Sequence, residues 1–484
     1  MSSLVCISAL AFSVVIVIFS TMLAASGQYL LVSVITGVFC LLLVVFAAAI
    51  HRDEFGGFDI FSPALIPPLI YISMVIVFIV STLNNIGYGI LTEVSPKDIY
   101  YLLSGLLAYI CGTLLALVVV SHPLAQKRLD RLCIENNWRL RGLLGWSFVL
   151  VVIGSLGVFL YFSQMGFPLF GDVDKIRHGF EGRLYGVGYS FPLLQGLNLI
   201  LLSLLVYGLT RKDRIYRIGL LTSVVWITFL SAIFGYRWMP LIFLLVPFTM
   251  YNYIGKRLKV TPKSILSISM VFILAFSLVG LMGYRRNISK PNGTHRYEQI
   301  LERTHISANL RYFAPALLAL QIRPVSFARL TKMVPEDFDF FYGKYTLATI
   351  PVVNRIFPAL SKEQVGYYVT NTMFGNDYKA GSGGTALTAS GGFYIDFGFG
   401  GILIGLLLTG FFIEMCYIRV FKKTDLLSVA LYSFILWLSV KWLITDVYLG
   451  DLTIIVMALV ITRLVRTRPQ RHCDFSRNNE SPSH

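Results

Sequence analysis

The chain is predicted to be an all-α polytopic membrane protein of about twelve transmembrane helices, with a large hydrophilic loop on the outer face. Three observations predict this. Hydrophobic residues make up 56% of the 484 and charged residues only 14%, a balance foreign to soluble chains of this length. Twelve stretches reach the roughly 20 apolar residues that cross about 30 Å of hydrocarbon. The net charge of +16 gathers in alternate connections, as the positive-inside bias requires.

The first nine spans fall near residues 4–24, 29–50, 62–83, 98–121, 143–163, 190–210, 218–235, 238–254 and 265–284. The last three fall near 397–418, 426–446 and 452–468. The first lacks a basic leader and reads as an uncleaved helix, although Ala24, Ala25 and Ser26 resemble a cleavage site. Cys6, Cys40, Cys111, Cys133, Cys416 and Cys473 lie in spans or in inner connections, so no disulfide framework or cysteine metal cage is expected.

With twelve spans, the basic connections around Lys127 and Arg128, Arg211 and Lys212, and Lys256 and Arg257 share one side with Arg419, Lys422, Lys423 and the tail. That side is cytoplasmic, and both termini lie there. Positive charge so placed points to topology and anionic lipid rather than nucleic acid. Residues 1–284 then form nine helices with a smaller outer loop at 164–189, residues 285–396 a large outer domain, residues 397–468 three helices, and 469–484 a disordered cytoplasmic tail.

The inner connections are short and carry no Walker sequence or dinucleotide glycine fingerprint, which argues against an ATP-driven pump. The outer domain is different. Over 285–392 it holds Arg285, Arg286, Arg296, Arg303, Arg311, Arg323, Arg329 and Arg355 against seven carboxylates, on the side where the positive-inside bias disfavours them. Apolar residues at helical spacing predict an amphipathic helix over 297–320 lying against the bundle. Residues 342–392 read as ordered loop with short helices.

An enzyme facing away from nucleotide sugars must take a lipid-borne activated substrate, and arginine suits a pyrophosphate. Its planar fork binds phosphate through two hydrogen bonds and stays charged at any relevant pH. Candidate arginines occur in three places. The loop at 166–188 combines Asp172, Asp174, Lys175, Arg177, His178, Glu181 and Arg183, and reads either as a lid over phosphate or as an ordinary charged loop. Arg237 sits in a tight turn between two spans and must face a polar cavity or reach lipid headgroups. In the large loop Arg285, Arg286 and Arg311 could touch substrate, His305 could act as a general base or be simple surface, and Tyr345 and Tyr367 could stack on sugars or form a loop core. Lys441 and Asp446 raise the choice between a structural pair and snorkelling. The spans carry few charges away from their ends, which speaks against a transporter. No metal or cofactor is called for; Asp172 with Asp174, and Asp337 with Asp339, are weak acidic pairs.

Four blocks, taken together, resemble the bacterial O-antigen or oligosaccharide repeat-unit polymerases of the Wzy type. They are Gly-Phe-Pro-Leu-Phe at 166–170 with Arg177; Gly-Tyr-Arg-Trp at 235–238; Tyr-Gly-Lys-Tyr-Thr at 342–346 leading to Ile-Pro-Val-Val-Asn-Arg-Ile-Phe-Pro at 350–358; and 385–401, ending in Asp-Phe-Gly-Phe-Gly-Gly. The family's Arg-x10-Gly pattern is met twice, by Arg177 with Gly188 and by Arg355 with Gly366. Asn354 stands where the family tends to have proline. The resemblance implies the integral-membrane C-type glycosyltransferase fold and a metal-independent polymerase of the bacterial inner membrane, working on its periplasmic face. Its substrate would be an undecaprenyl-pyrophosphate-linked oligosaccharide and its partner a chain-length regulator. Arg177, Arg237 and Arg355 would hold the pyrophosphate. An O-antigen ligase and a lipid-linked oligosaccharide exporter are the alternatives.

Overall fold

A computed structural model describes residues 2–55, 59–84, 95–120, 136–138, 140–165, 190–210, 221–222, 224–230, 238–254, 297–299, 301–302, 305–336, 339–347, 387–423, 426–445 and 451–470, with isolated positions between 266 and 284. The helices are α1 (Ser2–Ala25), α2 (Tyr29–Glu54), α3 (Ile66–Leu83), α4 (Pro96–Val119), α5 (Leu140–Met165), α6 (Ser190–Thr210), α7 (Trp238–Ile254), α8 (Ala314–Met333), α9 (Lys344–Leu347), α10 (Ala389–Lys423), α11 (Leu426–Ile444) and α12 (Leu452–Val465). Among the described residues, α1 to α4, α10 and α11 are long and apolar enough to cross a membrane, and α5, α6, α7 and α12 contribute shorter apolar segments. Ten of the expected spans thus coincide with described helices. The described positions of the other two, 221–230 and 266–284, are helical where they are described.

Large apolar side chains cover the outside of these helices: Phe12, Val15 and Met22 of α1, Leu30 and Val45 of α2, and Leu156 and Leu160 of α5 are all more than half exposed. Water would oppose such a surface and hydrocarbon accepts it. The inside is built around α4 and α10. Their backbones nearly touch: a Cβ on Gly112 would stand 2.0 Å from the Leu407 carbonyl oxygen, and one on Gly410 2.1 Å from that of Tyr109. Small residues permit this approach, and dispersion along the seam replaces the hydrophobic drive that lipid removes. α11 joins this pair to α6 and α7, while α5 and α12 pack on α6.

We call the end of the bundle that carries residues 314–347 the outer end, following the charge distribution, and the opposite end the inner end. A short antiparallel pair of strands, β1 (Asn136–Trp138) and β2 (Arg466–Gln470), brings the chain before α5 and the chain after α12 together at the inner end. Both were expected on one side.

Two expectations need correction. The outer helix does not occupy 297–320: residues 305–313 are turns with a 3-10 segment, Ala308–Leu310, and regular helix runs over Ala314–Met333. Pro315 explains the start, because proline lacks the N–H and the space for a helix interior but fits its first turn. Nor does α8 merely lie against the bundle. Ala314, Leu318, Gln321, Val325, Phe327, Ala328, Leu330 and Met333 are buried, and the helix packs on α3, α4 and α10. The tenth span begins at Ala389, not near 397, and its path breaks at Phe397 (φ −144°, ψ 18°) and Gly398 (φ 65°, ψ −151°). Gly398 occupies a left-handed region that a side chain would resist.

Candidate functional site at the outer end

Two polar devices hold the outer segment onto the membrane helices, and a third joins the outer ends of α4 and α10. The first is the start of α4. Ser95 Oγ accepts from the Lys97 N–H (3.2 Å) and the Asp98 carboxylate accepts from the Ser95 N–H (3.3 Å), closing a reciprocal cap at a helix end with unpaired donors. The other Asp98 oxygen accepts from the Thr331 hydroxyl of α8 (2.5 Å). The same cap therefore docks α8. Nearly three turns earlier on α8, Gln321 Nε2 donates to Ser81 Oγ of α3 (2.8 Å).

The second device is Asp396, the last residue before the break in α10. One carboxylate oxygen accepts from the Tyr345 N–H (3.0 Å), and the other accepts from the Thr346 N–H (2.9 Å) and the Thr346 hydroxyl (2.6 Å). A carboxylate at the start of α9 satisfies donors that this single turn cannot satisfy itself. Backbone bonds from Phe341 N–H to Ile395 and from Tyr342 N–H to Asp396 complete the join. Tyr342 and Gly343 both have positive φ, 50° and 87°, and this tight turn leaves the Tyr342 ring exposed. The third device is aromatic. Tyr100, Tyr101 and Phe399 stack at the outer ends of α4 and α10, with Lys97 Nζ 5.6 Å above the Tyr101 ring.

His305 and Arg311 lie on a satellite of this platform, formed by Tyr297, Leu301, Ile306, Ala314 and Leu318. His305 stands exposed in a turn with φ 51°, not on a helix face. Arg311 is exposed, donates Nη2 to the Tyr312 hydroxyl (3.0 Å) and covers that ring; its carbonyl accepts from Tyr297 (2.5 Å). Tyr345 is buried among apolar neighbours, in the loop core rather than at an open surface. Arg177, Arg183, Arg237, Arg285, Arg286, Arg355 and Tyr367 lie outside the described residues.

Chemically, Asp98 and Asp396 are both buried, and each has a donor on both carboxylate oxygens, so both are engaged in structure rather than open to an incoming hydroxyl. They position the segment. The exposed acceptors described at this end are His305, Glu298, Glu302, Glu336 and Asp339. Half-buried Arg323 and Arg329 and exposed Lys332 make the docked helix basic.

Sequence reasoning missed other polar groups. Lys441 of α11 pairs with Asp451, which also accepts from Trp442 Nε1 (3.1 Å); the expected neighbour Asp446 lies outside the described residues. The spans are not free of charge away from their ends, because Glu414 of α10 meets His51 of α2 inside the bundle and Asp59 is buried nearby. A lone acid in the apolar run of α10 was the available signal. No protein-family model, curated protein or solved structure matches this chain.

Proposed function

We propose that this chain is a glycosyltransferase that joins undecaprenyl-pyrophosphate-linked oligosaccharide repeat units into a surface polysaccharide, on the outer face of a bacterial inner membrane, with both termini cytoplasmic and about twelve spans. One observation carries the reading: the basic segment that opens with Arg311 and runs through α8 to α9 is keyed into the ends of α3, α4 and α10 by Gln321, Thr331 and Asp396. A substrate whose reacting pyrophosphate lies at the headgroup level needs cations fixed at that height, and this docking supplies a rigid base for them.

In the proposed reaction, the hydroxyl at the non-reducing end of a new repeat attacks the anomeric carbon of the growing glycan. The carbon–oxygen bond to undecaprenyl pyrophosphate breaks, and the leaving group takes the electron pair. Arg177, Arg237 and Arg355 neutralise it as charge develops. The hydroxyl proton passes to His305 or an exposed carboxylate. Arg183, Arg285, Arg286 and Arg311 bind the rest of the lipid-borne anion, with Tyr367 against sugar. A chain-length regulator is the expected protein partner.

The buried His51–Glu414 pair favours a second reading, an exporter of lipid-linked oligosaccharide, since intramembrane charge is common in transport pathways. One experiment separates them: reconstituted protein is given a lipid-pyrophosphate-linked repeat. A glycan ladder supports the polymerase, while no ladder with movement of substrate across the bilayer supports the exporter. Transfer to lipid A core would instead mark a ligase. Arg177→Lys and Arg355→Lys should each lose at least tenfold in rate, because an ammonium cannot make the paired hydrogen bonds. Wild-type rates would remove both residues from the pyrophosphate site.

A further inference from the structure

Three buried ionisable side chains meet in the inner half of the bundle. His51 Nδ1 lies 2.8 Å from the Ala47 carbonyl, and Nε2 lies 3.0 Å from both carboxylate oxygens of Glu414. A carbonyl only accepts, so Nδ1 carries a hydrogen. Nε2 and the Glu414 carboxylate then share one proton, and the pair as a whole is neutral.

Asp59 is different. It sits in the connection between α2 and α3, whose described part from Asp59 on is drawn into the bundle: Asp59, Phe61, Ser62 and Ala64 are all buried. Hydroxyls from four helices hold it there. Tyr253 (2.5 Å) and Tyr417 (2.9 Å) donate to the carboxylate, Tyr109 to the Pro63 carbonyl (3.2 Å) and Tyr432 to the Phe61 carbonyl. Tyr109 is ten residues from the end of α4, so the connection reaches about 15 Å inward at 1.5 Å per residue. Phe61 N–H (2.9 Å) and Asn252 (3.4 Å) complete the Asp59 shell. These four donors to the carboxylate are all uncharged and all favour the anion.

The cluster thus carries one net negative charge: His51 and Glu414 cancel, and Asp59 remains. Tyr417 links the two parts, donating to Asp59 while its ring packs 5.6 Å from that of His51. Among the described residues, the cations next to the cluster in sequence, Arg52 and Arg419, are both exposed. Glu414 is close enough to act on Cys6 of α1, Tyr109 of α4, Tyr417 and Tyr432; Asp59 acts on His51, Tyr253, Tyr417 and Tyr432; Glu54 reaches Cys6. Arg419 acts on Cys416. An isolated buried charge is costly, and one more proton removes it.

We propose that this inner network is a proton-binding site that takes up one proton, seated on Glu414. Asp59 is the poorer seat, since a proton there would face four donors. Among the described residues Glu414 hydrogen-bonds only His51, which still donates to one carboxyl oxygen when the other becomes O–H. The route is short, because Arg52 and Asp53, next to His51, are exposed.

The test uses the full chain in lipid nanodiscs, acidified from neutral pH without buffer. Wild type should take up one more proton per chain than Glu414→Gln. Its infrared difference spectrum should gain a carboxyl stretch that shifts in D2O and is absent from that variant. In His51→Gln, Glu414 loses its counter-charge and should hold its proton already at neutral pH, so the band is present throughout and acid adds nothing. Equal uptake by wild type and Glu414→Gln, no carboxyl band in wild type, or His51→Gln titrating as wild type does would each overturn the proposal. Should Glu414→Gln fail to fold, the other two comparisons decide.

Discussion

Gly112→Ala adds one methyl group where α4 and α10 are closest. Its carbon would stand 2.0 Å from the Leu407 carbonyl oxygen, 2.9 Å from the Leu407 carbonyl carbon and 2.9 Å from Phe411 N. All three are backbone atoms and cannot rotate away. Reaching even 3.0 Å from the oxygen needs a shift of about 1 Å between helices that pack along much of their lengths. Overpacking at adaptable sites costs about 1–3 kcal/mol. A rigid obstacle puts this one at roughly 3 kcal/mol or more. At about 2 cal/mol/K of unfolding entropy per residue, that lowers the midpoint of a chain this size by roughly 3 °C or more.

The assay is thermal unfolding in mild detergent, followed by far-UV circular dichroism. Gly400→Ala is the internal control: nothing lies within 4 Å of its Cβ position, and helix propensity alone gives up to about 1 kcal/mol of stabilisation. Gly410→Ala should resemble Gly112→Ala, with its carbon 2.1 Å from the Tyr109 carbonyl oxygen. The double variant should cost less than the sum, because a seam opened once is already open at the neighbouring turn. Gly112→Ala melting with Gly400→Ala would refute the close seam.

Other outcomes follow from the polar joins. Asp396→Asn keeps one accepting oxygen of two, so the Tyr345 and Thr346 amides should exchange at least tenfold faster, at about 1–3 kcal/mol, with the bulk of the bundle unchanged. Asp59→Asn turns an amide donor toward hydroxyls that already donate and should cost about 3 kcal/mol or more by chemical unfolding. His305→Ala, at an exposed turn, should shift stability by less than about 0.5 kcal/mol. A large loss of glycan-ladder rate in that variant would then be chemical, and an unchanged rate would remove His305 as the base.

The helices were legible because lipid imposes length and apolarity on consecutive residues. α6 and α7 fall on the expected boundaries. The start of α10 was missed because Gly391, Gly392 and Asp396 look like loop; only the close packing around Gly391 and the α9 donors facing Asp396 make them helix and cap. α8 was displaced because periodicity over 297–320 was read through Pro315. The His51–Glu414 pair spans 363 positions in sequence, and no local pattern announces a partner that distant. At the candidate site, Asp98 and Thr331 lie 233 positions apart and meet only because α8 folds back onto α4. The arginines expected to hold pyrophosphate rest on motif and topology, since they fall outside the described residues.

The break at Phe397–Gly398 gives α10 an asymmetric mechanics. The helix is a strut pinned at both ends, by Asp396 to the outer segment and by Glu414 to α2, and its joint lies against the outer pin. Rocking of the outer segment is absorbed there, with little load reaching Glu414. A push that begins at the inner pin has some 16 residues of unbroken helix to travel, about 24 Å, before it meets anything that can bend. The stretch between Gly398 and Glu414 is therefore one unbroken piece, with its joint at the outer end.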